Sequence, residues 1–129
     1  MEKKNIESIE DIQKMVNDFY DAVKADPLIG PKFTEVAQVD WDKHLPKMYQ
    51  FWSDLMLGTE EYRGRPFPPH LRLDLTAEHF SRWVSLFHQV VNKNFHGLKA
   101  DEVKFRAQTI AMNFQTNIQM IRQQQINNQ

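Results

Sequence analysis

The apolar positions of the chain fall in four stretches with helical period, separated by breaks rich in proline and glycine. Ile9, Ile12, Val16, Phe19, Tyr20 and Val23 share one face of a predicted first helix. Ser8 and Asp11 read as a capping box at its start, with Asp in place of the usual Glu or Gln. Asp26-Pro27 and Gly30-Pro31 stop it, because a residue before proline is biased away from the helical region. Leu28 to Val39 reads as short turns anchored by Phe33. A second helix is predicted from about Asp40 to Leu57. Trp41, Leu45, Met48, Trp52 and Leu55 lie along its apolar face, which Tyr49, Phe51 and Met56 widen. Pro46 removes one backbone donor, so this helix either starts near Lys43 or is kinked. Gly58 ends it.

From Gly58 to Pro69 helical pattern is lost, and Pro66, Pro68 and Pro69 hold an extended run that ends directly on His70. Thr76 is a credible cap for a third helix with the stripe Phe80, Trp83, Val84, Phe87 and Val91, closed by Phe95-His96-Gly97. Asp101 and Glu102 open a fourth, where acids favour the positive end of the helix dipole. Its stripe is Val103, Ala107, Ile110, Phe114, Ile118 and Ile121. Residues 1–7 and 123–129 read as frayed tails. Strand alternation and repeats are absent, so the expectation is one all-α domain over 1–129.

Composition narrows the function. The net charge is −1 and no block of like charge stands out, so neither nucleic acid nor an anionic membrane surface is expected as a partner. The segment MEKKNIESIED lacks the apolar run of a signal peptide, and no stretch approaches the roughly 18 apolar residues of a membrane span. A cytoplasmic location is the resulting expectation. The chain has no cysteine, which rules out disulfides, zinc-thiolate sites, iron–sulfur clusters and covalent c-type haem attachment. Nine Phe and three Trp are a heavy aromatic load for so short a chain and suit a pocket that grips something flat and apolar.

Five histidines are the candidates for metal chemistry. His79, His88 and His96 lie on or beside helices, where a histidine is more often structural than a ligand. They lack the i, i+4 pairing of a metal-binding helix. A di-iron bundle would need Glu-x-x-His on two helices, but Glu35 is followed by Gln38 and Glu78 by Ser81. His44 and His70 differ. Each sits among apolar residues, on opposite sides of the extended linker, and a flat iron macrocycle between those segments would be flanked by both. Periodicity by itself fits an ordinary helical bundle better.

The string His44-Leu-Pro-Lys-Met-Tyr-Gln-Phe-Trp52 resembles the distal helix of group III truncated haemoglobins. The string from Pro69-His70 through Thr76-Ala-Glu-His-Phe-Ser-Arg-Trp83 resembles that family's proximal histidine running into its third major helix. The resemblance extends from about Ser8 to Phe114. In order and at matching intervals, the family's distal tyrosine falls on Tyr20, its haem-packing phenylalanine on Phe33, its distal-helix histidine on His44, its proximal histidine on His70 and its pocket tryptophan on Trp83. The double-glycine motifs of other truncated globins are absent, as a group III pattern implies.

The resemblance implies a truncated globin fold, a two-over-two helical sandwich around haem b, with His70 as the iron ligand. It implies a cofactor site of Phe33, His44, Lys47, Met48, Phe51, Trp52, His70, Arg72 and Phe87, and a gas-ligand site of Tyr20, His44 and Trp83. The physical chemistry agrees. Haem has a broad apolar face, and the Tyr20 hydroxyl and Trp83 indole are donors suited to a ligand carrying partial negative charge. The phenylalanines and Trp52 read equally well as ordinary core, and Tyr20 as a core tyrosine bonded to a carbonyl. Lys47, Arg63, Arg65 and Arg72 are cations for the propionates, or solvated surface. The stiff run before His70 would set that histidine without a long proximal helix. Such a site would bind dioxygen or another diatomic gas. Two polar donors suit redox or detoxification chemistry better than bulk transport, with nitric oxide dioxygenase or peroxidase-like activity left open, no separate catalytic residue, and a reductase as a possible partner. A haem-free helical interaction module, and a gas sensor acting through a partner, are the alternatives. A monomer or weak dimer is expected.

Overall fold

The structure is a computed structural model, and it describes residues 3–36, 38–59 and 75–127. Four α-helices make up its frame: α1 (Ile9–Ala25), α2 (Trp41–Leu57), α3 (Ala77–Asn94) and α4 (Leu98–Asn127). α1 packs on α2 and on α3, and α3 packs on α4, so two helices lie over two. A five-residue π-helical turn, Lys32–Val36, joins α1 to α2.

Local chemistry sets most of these boundaries. The Ser8 hydroxyl accepts from the Asp11 amide at 3.3 Å, and the Asp11 carboxylate accepts from the Ser8 amide at 3.2 Å. This is the reciprocal box expected from the sequence. α1 ends at Asp26, whose Oδ1 accepts from the amides of Leu28 (2.9 Å) and Ile29 (3.1 Å) and so shapes the turn beyond. Gly30 then passes so close to α1 that a Cβ would lie 2.9 Å from the Val23 carbonyl oxygen. α2 begins at Trp41, earlier than Lys43, and runs through Pro46. Proline there forfeits the bond to the Asp42 carbonyl, and Asp42 is exposed, so water can take its place.

Both chain ends differ from the tails expected of them. Ile6 is 1% exposed, Lys4 forms an isolated parallel bridge with Phe95, and the His96 amide donates to the Lys4 carbonyl at 3.0 Å. The Asn5 side-chain oxygen accepts from the amides of Lys99 (3.0 Å) and Ala100 (3.2 Å). It therefore caps α4 from the opposite end of the sequence, and α4 starts at Leu98 rather than near Asp101. Gly97, at φ +117°, makes the turn into this cap, and a Cβ there would meet the Asn5 side chain at 2.9 Å. At the other end α4 continues to Asn127. QQQIN contains no glycine or proline, and glutamine is a good helix former, so nothing local stops it.

The buried side chains form two clusters. The larger centres on Phe19 and Phe87 and draws on all four helices. The smaller is Leu75, Phe80, Ala111 and Ile118, with Val84 and Phe114 against it. Trp83 packs against both. Arg82, beside it, donates from its guanidinium to Asp26 Oδ2 at 2.8 Å and ties α3 to the end of α1. Burial alone would raise the Asp26 carboxyl's pKa. The Arg82 bond and the amides of Ile29 and Leu28 outweigh it and hold the group below the ordinary aspartate range.

Candidate functional site

A small cavity, with about 40 Å³ of space for the centre of a water-sized sphere, lies where the two clusters meet. Its described wall comprises Ile29 and Phe33 from the turns after α1, Leu75 before α3, His79, Phe80 and Trp83 on α3, and Ile110, Ala111 and Phe114 on α4. The lining is apolar and largely aromatic.

An aromatic cluster stands behind the Phe33 wall. Tyr20 meets His44 edge to face with ring centroids 5.1 Å apart, and it packs tilted on Trp41 at 5.4 Å. Phe33 lies 6.1 Å from Tyr20 and stacks on Trp41 at 6.2 Å. Helix phase explains the meeting. Tyr20 is on the buried stripe of α1, 5% exposed, and Trp41 and His44 are three apart on the first turns of α2, so they share a face. The Tyr49 hydroxyl, five residues after His44 on α2, donates to Asn17 Oδ1, three residues before Tyr20 on α1, and Lys24 sits over the Trp41 ring at 5.0 Å. Phe19, the neighbour of Tyr20, contacts Trp83 edge to face at 5.3 Å. Tyr20, Phe33, His44 and Trp83, distant in sequence, thus form one aromatic set connected through Phe19, of which Phe33 and Trp83 are in the described cavity wall and Tyr20 and His44 are not.

The remaining site residues divide. Trp52 (2% exposed) and Phe87 (0%) lie in the larger cluster with centroids 5.0 Å apart, and Phe87 stacks behind Trp83 at 5.7 Å. Met48 and Phe51 are half-buried against the same cluster. None of these four is part of the described cavity wall, and Phe87 supports it from behind. Lys47 is exposed. His70 and Arg72, with Arg63 and Arg65, lie outside the described residues.

The wall also holds residues that were not singled out beforehand. Phe80, Ile110 and Phe114 were legible as stripe positions, with no signal separating cavity from core. In the sequence His79 reads as a helical histidine without a metal-binding partner. It is the third residue of α3, and its Nδ1 accepts from the Thr76 amide at 3.0 Å, so it completes the helix cap and lines the cavity as well.

Four packed helices, a short π-helical turn placing an aromatic at the wall, and an apolar cavity between split core clusters describe a globin of the small, two-over-two kind. The chain belongs to the bacterial-like globin family, whose model matches residues 4–120, and within it to the group III truncated haemoglobins. It is 33% identical over 110 residues to the group 3 truncated hemoglobin ctb of Campylobacter jejuni, covering 82% of this chain and 87% of that one. The crystal structure of group III truncated hemoglobin from Campylobacter jejuni superposes with a TM-score of 0.80 at 31% identity, over 91% of this chain and 95% of that one. The family is one of haem-binding globins. The chemistry of the lining suits such a group, since Phe33, Phe80, Trp83 and Phe114 offer apolar aromatic surface of the kind that packs on a flat apolar face. No helix among the described residues is long and apolar enough to cross a membrane.

Proposed function

We propose that this chain holds haem b through His70 and binds dioxygen or a related diatomic gas beside Tyr20, His44 and Trp83, for redox or detoxification chemistry. The observation that carries the reading is the edge-to-face contact of Tyr20 with His44, linked through Phe33 to the cavity wall that Trp83 completes. Haem, when bound, supplies the iron chemistry toward diatomic gases. The chain's own part is to seat the macrocycle, exclude water and present donors. With no cysteine to form thioethers, the macrocycle would be held by non-covalent packing and one axial histidine, the b-type arrangement. His70 is tethered five residues ahead of Leu75, itself a wall residue.

Two donors are suited to an acceptor carrying partial negative charge: the Tyr20 hydroxyl and the Trp83 indole N–H. In a water-poor apolar cavity a hydrogen bond to charge is stronger than the same bond in water. His44, half-buried on the first turns of α2, would close the pocket on the α2 side and swing outward to admit ligand. Slow ligand release from such a clamp fits a reaction with a second substrate, with electrons returned by a reductase in the cytoplasm.

Absorption spectra of the ferric, ferrous and carbon-monoxide forms of the purified protein test this directly. A Soret band that is lost in His70→Ala is the expected result. Protein that purifies colourless and takes up no added haemin would leave a haem-free helical module as the function.

A further inference from the structure

His79 stands apart from the rest of the cavity wall. Apart from the indole N–H of Trp83, it is the only described wall side chain with a polar atom. It is half-buried, which places it where the cavity meets solvent. A backbone amide can only donate, so the bond from the Thr76 N–H requires the His79 Nδ1 to be unprotonated, and the neutral ring then carries its proton on Nε2. The Thr76 hydroxyl lies 2.8 Å from the same Nδ1 and is compatible with that assignment, since a hydroxyl can donate to it. Nε2 is therefore a fixed donor with no lone pair to offer a metal.

From this geometry we infer that His79 is a binding residue for a carboxylate at the edge of the cavity's ligand. The inference rests on the haem reading above. Haem is apolar across its faces and anionic only at its two propionates, so a single donor on an apolar rim marks the edge to which a propionate is turned. The role is distinct from iron ligation, which the occupied Nδ1 and protonated Nε2 exclude. It is also more than capping, because a glutamate or glutamine at this third helical position would complete the Thr76 box equally well.

That last point supplies the test. His79→Glu and His79→Gln both keep the cap, and thermal unfolding of the apoproteins checks that they do. Glu sets a carboxylate against a carboxylate, while Gln retains a donor. Each protein is loaded with haemin and, separately, with haemin dimethyl ester, in which both propionates are blocked. Transfer to excess apomyoglobin then gives the loss rates. His79→Glu is expected to lose haemin about ten- to a hundredfold faster than wild type, a charge-assisted bond being at stake. His79→Gln should fall much closer to wild type, and the ester should leave all three proteins at similar rates. Equal acceleration for haemin and its ester in His79→Glu, or none for either, would overturn the inference while leaving the haem reading intact. Failure of wild type to take up either compound would sink both.

Discussion

Tyr20 and His44 lie on different helices, yet their rings meet edge to face with centroids 5.1 Å apart. The pair stands behind Phe33, which lines the cavity, and the proposed ligand site makes the Tyr20 hydroxyl the group to alter first. Hydrogen bonds to charged groups contribute on the order of 1.5–3 kcal/mol, so Tyr20→Phe should speed oxygen release roughly ten- to a hundredfold. Carbon monoxide is a poorer acceptor, and its release should change far less. Trp83→Phe should act in the same direction and more weakly. Stopped-flow release rates from the three proteins are the measurement, and an unchanged rate in Tyr20→Phe would show that the hydroxyl serves only the core.

The histidines should separate cleanly by spectrum. His70→Ala is expected to lose haem, with uptake partly restored by added imidazole. On the proposed reading, in which His44 closes the pocket without being a permanent ligand, His44→Ala should keep haem and show no change in iron coordination. His88, whose Nε2 lies 3.2 Å from the Lys104 carbonyl oxygen, and exposed His96 should be replaceable without spectral effect. A bis-histidine spectrum in resting ferrous wild type that disappears in His44→Ala would contradict the second of these.

Asp26 and Arg82 couple stability to pH. The carboxyl is held below its ordinary range in the folded chain, so the folded state releases its proton more readily than the unfolded one. The contribution is therefore complete above the unfolded value, near pH 4, and is lost as pH falls through the lower folded value. Arg82→Met should lower stability at pH 7 by about 1–3 kcal/mol, since Asp26 is buried while Arg82 is partly solvated. Urea midpoints measured from pH 7 to pH 2.5 should show the two proteins converging at the acid end. A constant difference across that range would mean that the arginine acts through its aliphatic stem.

Asn5 and Gly97 should behave as a unit. Asn5→Ala leaves the Lys99 and Ala100 amides without their cap, at a cost of about 1–2 kcal/mol. Gly97→Ala combines a positive φ with a Cβ pressed against the Asn5 side chain. Part of that second penalty vanishes once Asn5 is truncated, so the double variant should be less destabilised than the two single effects added together. Strict additivity in denaturant midpoints would refute the coupling.

Much of this molecule is decided within a few residues of chain. The Ser8–Asp11 box, the stop at Asp26-Pro27, the end of α2 at Gly58 and the apolar stripes of all four helices depend on local hydrogen bonding and helical period, and each is legible in the sequence. So is the order of Tyr20, Phe33, His44, His70 and Trp83 on which the family resemblance rests. The tertiary structure decided what local rules cannot reach. It placed Asn5 on the start of α4, some 94 residues away, because an unpaired helix terminus takes whichever acceptor the fold brings to it. It divided one apolar pattern into two clusters with a cavity between them, so that Trp52 and Phe87 became core while Phe80 and Phe114 became wall. Helical period marks a side chain as inward-facing and cannot say whether it meets a neighbour or a space. For the same reason His79 read as an ordinary helical histidine until packing set its ring between the Thr76 amide and the cavity.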